Sequence, residues 1–510
     1  MKQLVVLLAV VGCAKPERTL TIIGTSDLHG HVERLPLLGG YVKALRAKRT
    51  VMLLDGGDLF QGTIVSNRTE GAPIVRAMNA LGYAASAVGN HEFDYGQPVL
   101  QARAKEARFR FLDANIIDEQ TGAPAAWPNV VPRAIVEIGG IKVGLTGGAT
   151  KYTPTSANPK KQKGLRIERL DAPIRAQAEA LRREGAELIV VAVHAGGRCR
   201  DVEHPDDLST CVADSEVFQL AQSLPPGLVD VIVAGHTHNQ LAQRVNGIAI
   251  IQAWQKGEGF GRVDVTVGKH KSVRIFPPHR MQPNDSYEGV TVAPDAEVAA
   301  TFADDLRAAD RERARTLGPM VEERLWPDYS AESPLGNLLA DVMHEAVPKA
   351  DLALQNGGGL RSDIPAGPLT YGEIYELAPF DNRLALVTMR GSTLRALLAD
   401  NAVYPGSFLS ISGMRIKVHC ASGHPVVDAP IDDAREYQVV TTDFLADGGD
   451  MFGRVVLSAP GTKVEVLWDK PVIHDLAADL LAHRKSLRLG ELFDRAHPRV
   501  ELPGPRPICH

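Results

Sequence analysis

Cysteine is scarce in this chain of 510 residues, five in all, and no two of them form a C-x-x-C pair. The sequence therefore offers no pattern for a cysteine-held zinc site. Long basic runs are also missing, and the formal net charge is −5. That argues against electrostatic capture of nucleic acid, whose backbone is held largely by Lys and Arg; a small phosphate compound needs far fewer cations. There are no internal repeats. With 44% hydrophobic and 23% charged residues, disordered and collagen-like classes are excluded and a soluble globular composition remains. The apolar run at the start, Leu4 to Val11, is too short to cross a bilayer, which takes about 20 residues in a helix.

What is present begins with that run. "MKQLVVLLAVVGC" places Lys2 before it and Gly12-Cys13 after it, the pattern of an export signal. Its V-V-G-C ending resembles the lipobox of bacterial lipoproteins, which implies a lipid anchor at Cys13; a signal peptide cleaved elsewhere is the alternative. Export suits the remaining cysteines. Cys199, Cys211, Cys420 and Cys509 are enough for two disulfides in an oxidising envelope compartment. Cys199 with Cys211 would staple a polar loop, contributing on the order of 3 kcal/mol. Cys420 with Cys509 would tie the C-terminal tail to a late domain.

A chain this long exceeds one ordinary core. The reading is a signal peptide (1–12), a tether (13–19), a first domain (20–285), a linker with a helix (286–318), a second domain (319–502) and a tail (503–510). In the first domain, apolar runs of four to eight residues alternate with helical patterns, which predicts a layered α/β domain of paired sheets with helices outside. The pattern of residues 296–318 predicts one long amphipathic helix in the linker. The second domain reads as α+β.

The polar chemistry collects where the apolar runs end. "TSDLHGH" supplies Asp27 and His29, "GGDLFQG" Asp58, "GNHEFDYG" Asn90 and His91, "VAVHAGG" His194, and "AGHTHN" His236 and His238. In α/β sheets the strand carboxyl ends face the ligand crevice. Carboxylate, amide oxygen and neutral imidazole are ligands for divalent ions. These groups are too many for one ion but suit two if a carboxylate bridges, and Asp58 is the bridging candidate.

These five segments resemble the motifs of calcineurin-like metallophosphoesterases, and "GNHEFDYG" is most similar to that of the 5'-nucleotidases and periplasmic UDP-sugar hydrolases. The resemblance implies a four-layer α/β/β/α metallophosphoesterase domain followed by a C-terminal α+β 5'-nucleotidase domain. It implies one metal held by Asp27, His29, Asp58 and His238, and another by Asp58, Asn90, His194 and His236. The two divalent ions could be Zn, Mn, Co or Ca, since mixed oxygen and nitrogen sites are promiscuous. His91 is implied to be a catalytic group paired with Asp94, stabilising charge on the phosphate. Glu92 is expected to be a structural carboxylate that fixes the loop.

The second domain carries the specificity clues. "NGGGLRS" resembles the family loop that presents Asn356 and Arg361 to the phosphate side. "GSFLSISG" and "TDFLADGGD" supply Phe408 and Phe444, which the resemblance implies would sandwich a nucleobase, with Asp450 beside the nucleoside. Arg390 is a further phosphate-contact candidate and Arg383 a weaker one. The implied activity is metal-dependent release of phosphate from nucleoside 5'-monophosphates, with nucleotide di- or triphosphates or UDP-sugars as further substrates. The alternatives are a 2',3'-cyclic-nucleotide phosphodiesterase with 3'-nucleotidase activity, whose members tend to carry Asn where Asp94 stands, and a non-catalytic nucleotide-binding lipoprotein. The implied location is the bacterial envelope, anchored at Cys13 and facing the periplasm or exterior. The oligomeric state is not legible.

Overall fold

The computed structural model describes residues 17–509; the expected signal peptide and Cys13 lie outside the described residues. The first half is built on two sheets. One has seven strands, with Arg18–Thr25, Thr50–Asp55, Tyr83–Ala87 and Arg110–Leu112 parallel at its centre and the antiparallel Gly259–Val267 and Ser272–Arg280 on one flank. The other has six strands, with Ile141–Ala149, Leu188–His194, Val231–Ala234 and Ile248–Ala253 parallel.

Strand periodicity explains why these sheets stack. Leu20, Ile22, Met52 and Leu54 point inward and meet Val190, Ala192, Val231 and Val233 of the other sheet in one core. Their neighbours point outward. Ile23, Leu53 and Val51 pack under the helices Leu35–Arg46 and Ala72–Leu81. Ile189, Val191 and Ile232 pack under Asp171–Arg183 and Glu216–Ser223. Burial on both faces is why the strands read as unbroken apolar runs rather than alternations. The result is the expected helix, sheet, sheet, helix layering.

The linker differs from expectation. Instead of one helix over residues 296–318 there are two, Ala296–Ala300 and Ala303–Arg313, and the chain is already extended in the strand Thr316–Val321. The break falls at Phe302, which leaves helical geometry (φ −136°, ψ 12°) and buries its ring in the core. Thr301 ends the first helix by donating its hydroxyl to the Val298 carbonyl at 2.7 Å.

The second half centres on a five-stranded sheet in the order Leu409–Ser412, Leu352–Asn356, Glu436–Thr442, Leu384–Arg390, Lys463–Val466. Helices Pro334–Ala346 and Gly391–Val403 pack on it. Disulfides join Cys199 to Cys211 and Cys420 to Cys509. Among the described residues no helix is long and apolar enough to cross a membrane.

Candidate active site

All five motif segments leave the carboxyl ends of central strands, and the two sheets bring those ends together. Loops from the first sheet cross-bond: Asp27 N–H donates to the Gly57 carbonyl at 2.9 Å, and His29 N–H to that of Asp58 at 3.0 Å. The loops of the two sheets then abut at Gly56, where a Cβ would lie 2.7 Å from the Ala234 carbonyl oxygen. Only glycine permits that approach. Gly89 has the same necessity, because a Cβ there would collide with the Asp58 carboxylate.

Two donor groups result. Asp58, His194 and His236 present ligand atoms within 4.8 Å of one another, and so do Asp27, His29 and His238. Asn90 joins the first group, its Oδ1 3.0 Å from His194 Nε2. Its amide donates to the Ser156 carbonyl at 3.3 Å, which turns the oxygen toward the group. Asp58 Oδ2 is 3.0 Å from His194 Nε2, and its charge also acts on His29. Asp27, His29, Asp58, His236 and His238 all have positive φ, between 47° and 76°. Five non-glycine residues in the left-handed region are a store of strain, of the kind that clusters at functional sites.

The residues fit divalent cations. His194 Nδ1 donates to the Gly56 carbonyl at 2.9 Å and His29 Nδ1 to that of Gln61 at 3.1 Å. Each ring is thereby oriented by its own backbone partner and offers Nε2 to the interior. The side-chain amide of Gln61, buried beside this group, has no hydrogen-bond partner. Burial opposes charge on Asp58, yet the His194 and His91 rings hold its carboxyl well below the usual carboxylate range. Burial likewise opposes charge on His194, but the Asp58 carboxylate pushes it up to about 10. His236 is pushed down to about 3 by burial and by the His194 charge. One proton thus sits on a ligand nitrogen, and a divalent ion binding there must displace it.

His91 and Asp94 form the expected pair, Nδ1 to Oδ2 at 2.7 Å. Burial works against the charged ring, but Asp94 and Asp58 raise its pKa. Glu92 fixes the loop: its carboxylate accepts from the backbone N–H groups of Asp58 (2.9 Å), Leu59 (2.6 Å) and Gly89 (2.6 Å).

A cavity of about 560 Å³ connects this centre to the second half of the chain. Asp58, Asn90, His91, His236 and His238 of the first half line it, and so do Asn356, Arg361, Phe444 and Asp450 of the second. The halves are closed on each other. Arg361 Nη2 lies 3.3 Å from His29 Nε2, and the ring of Phe380 is 5.6 Å from that of His91. Asp450, also at positive φ (47°), accepts from Asn356 Nδ2 at 2.8 Å.

Three of the expected substrate contacts lie outside the cavity lining in this structure. Phe408 does not line the cavity; its ring is buried in the core of the second half with Leu409 and Leu445. Arg390 is exposed at the end of its strand, opposite Glu436 and away from the cavity. Arg383 donates to the Lys470 carbonyl and lies against Trp468. The aromatics that do line the cavity with Phe444 are Tyr95, Tyr329 and Phe380, the last in the polar loop "LAPFDN". The signal for Phe380 was a lone Phe in a Pro, Asp and Asn turn, where no core pattern calls for it. Lys161 also lines the cavity and was not anticipated.

Residues 20–240 match the calcineurin-like phosphoesterase family, and residues 314–456 match the 5'-nucleotidase C-terminal domain. Protein UshA of Yersinia enterocolitica is 27% identical over 489 residues, covering 86% of each chain. The snake venom 5'-nucleotidase of Naja atra is 28% identical, covering 84% of this chain and 90% of its own. The crystal structure of a 5'-nucleotidase precursor from Thermus thermophilus superposes with a TM-score of 0.78 at 26% identity, over 96% of this chain and all of the other. With both family domains in the same order and the dimetal donor set intact, the chain belongs to the 5'-nucleotidase family of calcineurin-like metallophosphoesterases.

Proposed function

We propose that this protein is a divalent-metal-dependent phosphohydrolase that releases phosphate from nucleoside 5'-monophosphates, with nucleotide di- and triphosphates or UDP-sugars as further substrates. The observation that carries this reading is the single cavity joining the paired donor groups to two aromatic rings, Phe380 and Phe444, from the other domain. The structural likeness to relatives named 5'-nucleotidase supports it.

One cation would be held by Asp27, His29, Asp58 and His238, and the other by Asp58, Asn90, His194 and His236. Bound there, such a pair supplies Lewis acidity toward phosphoryl oxygens and an activated water. The chain's own groups do the rest. Arg361 meets the phosphate as a planar donor. His91, held at Nδ1 by Asp94, presents Nε2 to the charge that develops as the P–O bond breaks. Phe444 stacks on the base, an interaction worth about 1–3 kcal/mol and tolerant of base identity, while Phe380 packs beside His91. Asn356, which donates to Asp450, faces the phosphate side with Arg361, and Asp450 meets the nucleoside. The Asp at position 94 favours the monoester reading over the cyclic diester one. Export with a lipid anchor at Cys13 belongs to the same proposal. It rests on the N-terminal sequence and on two disulfides suited to an oxidising compartment; activity confined to the cytoplasmic fraction would contradict it.

The test is phosphate release from AMP, GMP, UMP, ATP, UDP-glucose and 2',3'-cAMP, with and without a chelator. AMP should be hydrolysed, the chelator should abolish turnover, and added Mn²⁺ or Zn²⁺ should restore it. No turnover of AMP, or a clear preference for the cyclic diester, overturns the reading.

Asp450 gives a prediction with opposite signs for binding and stability. Burial pushes its pKa up to about 6, against the pull of Asn356, Ser407 and Arg506. The folded state therefore keeps a proton that the unfolded chain releases at lower pH. Stability falls as pH rises from the usual carboxylate value through about 6, and the loss persists at neutral pH. Asp450→Asn removes that cost, on the order of 2–3 kcal/mol, and Asn tolerates the positive φ. The variant should be more resistant to urea than the parent at pH 7.5, and by a much smaller margin at pH 4.5. Its KM for AMP should rise about tenfold, because a charged acceptor is lost. Lower resistance at pH 7.5 would refute the argument.

A further inference from the structure

The C-terminal tail lies beyond the segment that matches the 5'-nucleotidase C-terminal domain, which ends at residue 456. It is nonetheless fastened to the wall of the cavity. Val500–Glu501 pairs in parallel with the strand Ile416–Ala421, Ile508 N–H donates to the Ala402 carbonyl at 3.1 Å, and Cys509 is bonded to Cys420. Between these anchors stands Arg506. One guanidinium nitrogen donates to the Ser330 carbonyl at 2.9 Å. Another donates to the carbonyls of Tyr404 at 2.7 Å and Gly406 at 3.2 Å. The flat guanidinium also lies 5.1 Å from the centre of the Phe408 ring.

Both loops held this way carry cavity chemistry. The first contains Tyr329, whose ring lines the cavity and whose carbonyl accepts from Phe408 N–H at 2.8 Å. The second contains Ser407, whose hydroxyl bonds to Asp450 and accepts from Gly358 N–H at 2.7 Å. Gly357 N–H donates to the Phe408 carbonyl at 2.7 Å, and Asn356 next to it donates to Asp450. Arg506 thus bridges the Tyr329 loop and the Tyr404–Phe408 segment, behind the Asn356, Ser407 and Asp450 cluster.

We propose that Arg506 is a positioning residue for the nucleoside: it locks the two loops in register and thereby holds Asn356, Ser407 and Asp450 in the geometry that receives substrate. A neutral residue at 506 leaves three loop carbonyls without their donor and frees the loops to separate. The donor groups Asp27, His29, Asp58, Asn90, His194, His236 and His238, all in the other domain, are untouched. The inference rests on the nucleotide reading above and deepens it, because it assigns part of substrate recognition to a tail outside the family's matched segment.

The test is steady-state kinetics of Arg506→Gln and Arg506→Lys in the full chain, with AMP and with p-nitrophenyl phosphate, which has no nucleoside. Arg506→Gln should raise KM for AMP about tenfold while kcat stays within about twofold. Its kcat/KM for p-nitrophenyl phosphate should stay within about twofold of the parent, which also certifies that the variant is folded. Arg506→Lys keeps the charge but cannot span three carbonyls, and should fall between the two. An unchanged KM for AMP overturns the inference, as does an equal loss on both substrates. A parent protein that cleaves p-nitrophenyl phosphate but not AMP overturns the nucleotide reading itself, and this inference with it.

Discussion

Asp58→Asn is expected to strip the purified protein of divalent cations and to lower phosphate release from AMP by about 10⁴-fold or more, since bound cations supply several kcal/mol of charge stabilisation. The size follows from how many jobs one carboxylate holds. Its Oδ2 faces the Nε2 of His194, its Oδ1 accepts the backbone N–H of His91 at 2.9 Å, and its charge acts on His29 in the other donor group. Asn keeps the volume and one acceptor, so the Gly89 packing survives. It removes the charge that both cations would share. It also removes the main reason that His194 stays protonated without metal, and a fully buried imidazolium without a counter-charge gives up its proton. Elemental analysis of the dialysed variant and the His194 ring signal in NMR report these two losses independently of turnover. A variant that binds two equivalents of metal would refute the shared-carboxylate arrangement.

Much of this centre was legible because strands buried on both faces announce themselves as apolar runs, and polar residues at their ends have few reasons to be there. "ELIVVAVHAGG" and "VDVIVAGHTHN" show this directly: His194 is the last residue of its strand, and His236 follows its strand by two. What sequence could not show is the backbone. Nothing in "TSDLHGH" says that Asp27 and His29 adopt positive φ, since non-glycine residues enter that region only when tertiary contacts force them. Those contacts come from the Gly57–Asp58 loop, 29 and 30 residues further along the chain.

The specificity residues were harder for a related reason. "SFLSISG" reads equally well as a cavity loop or as the entry to a buried strand, and the structure makes it the latter: Leu409–Ser412 begins directly after Phe408. Arg390 failed similarly, because the end of a strand can face solvent as readily as a ligand. Phe380 was overlooked because a single aromatic in a turn carries no periodicity. The linker misled by composition: the residues before and after Phe302 favour helix, and the burial of one ring outweighed them.

His91→Ala should leave metal content unchanged and lower kcat for AMP by about 10²–10³-fold, the usual loss when one preorganised charge-stabilising donor is removed. His91 sits next to Asn90 in sequence but outside both donor groups, so its removal tests catalysis apart from metal binding. Its Nδ1 is committed to Asp94, and among the described residues nothing else hydrogen-bonds its ring. The free nitrogen therefore serves the cavity. Asp94→Asn separates orientation from charge: the ring remains but loses its carboxylate anchor, and the loss should be smaller, about 10–100-fold, as for other partners that orient an active group. The double variant His91→Ala, Asp94→Asn should be no slower than His91→Ala alone, because Asp94 acts only through the ring it holds. Single losses that multiply in the double variant would mean that Asp94 meets the substrate or a cation directly, and would break the pair into two independent groups.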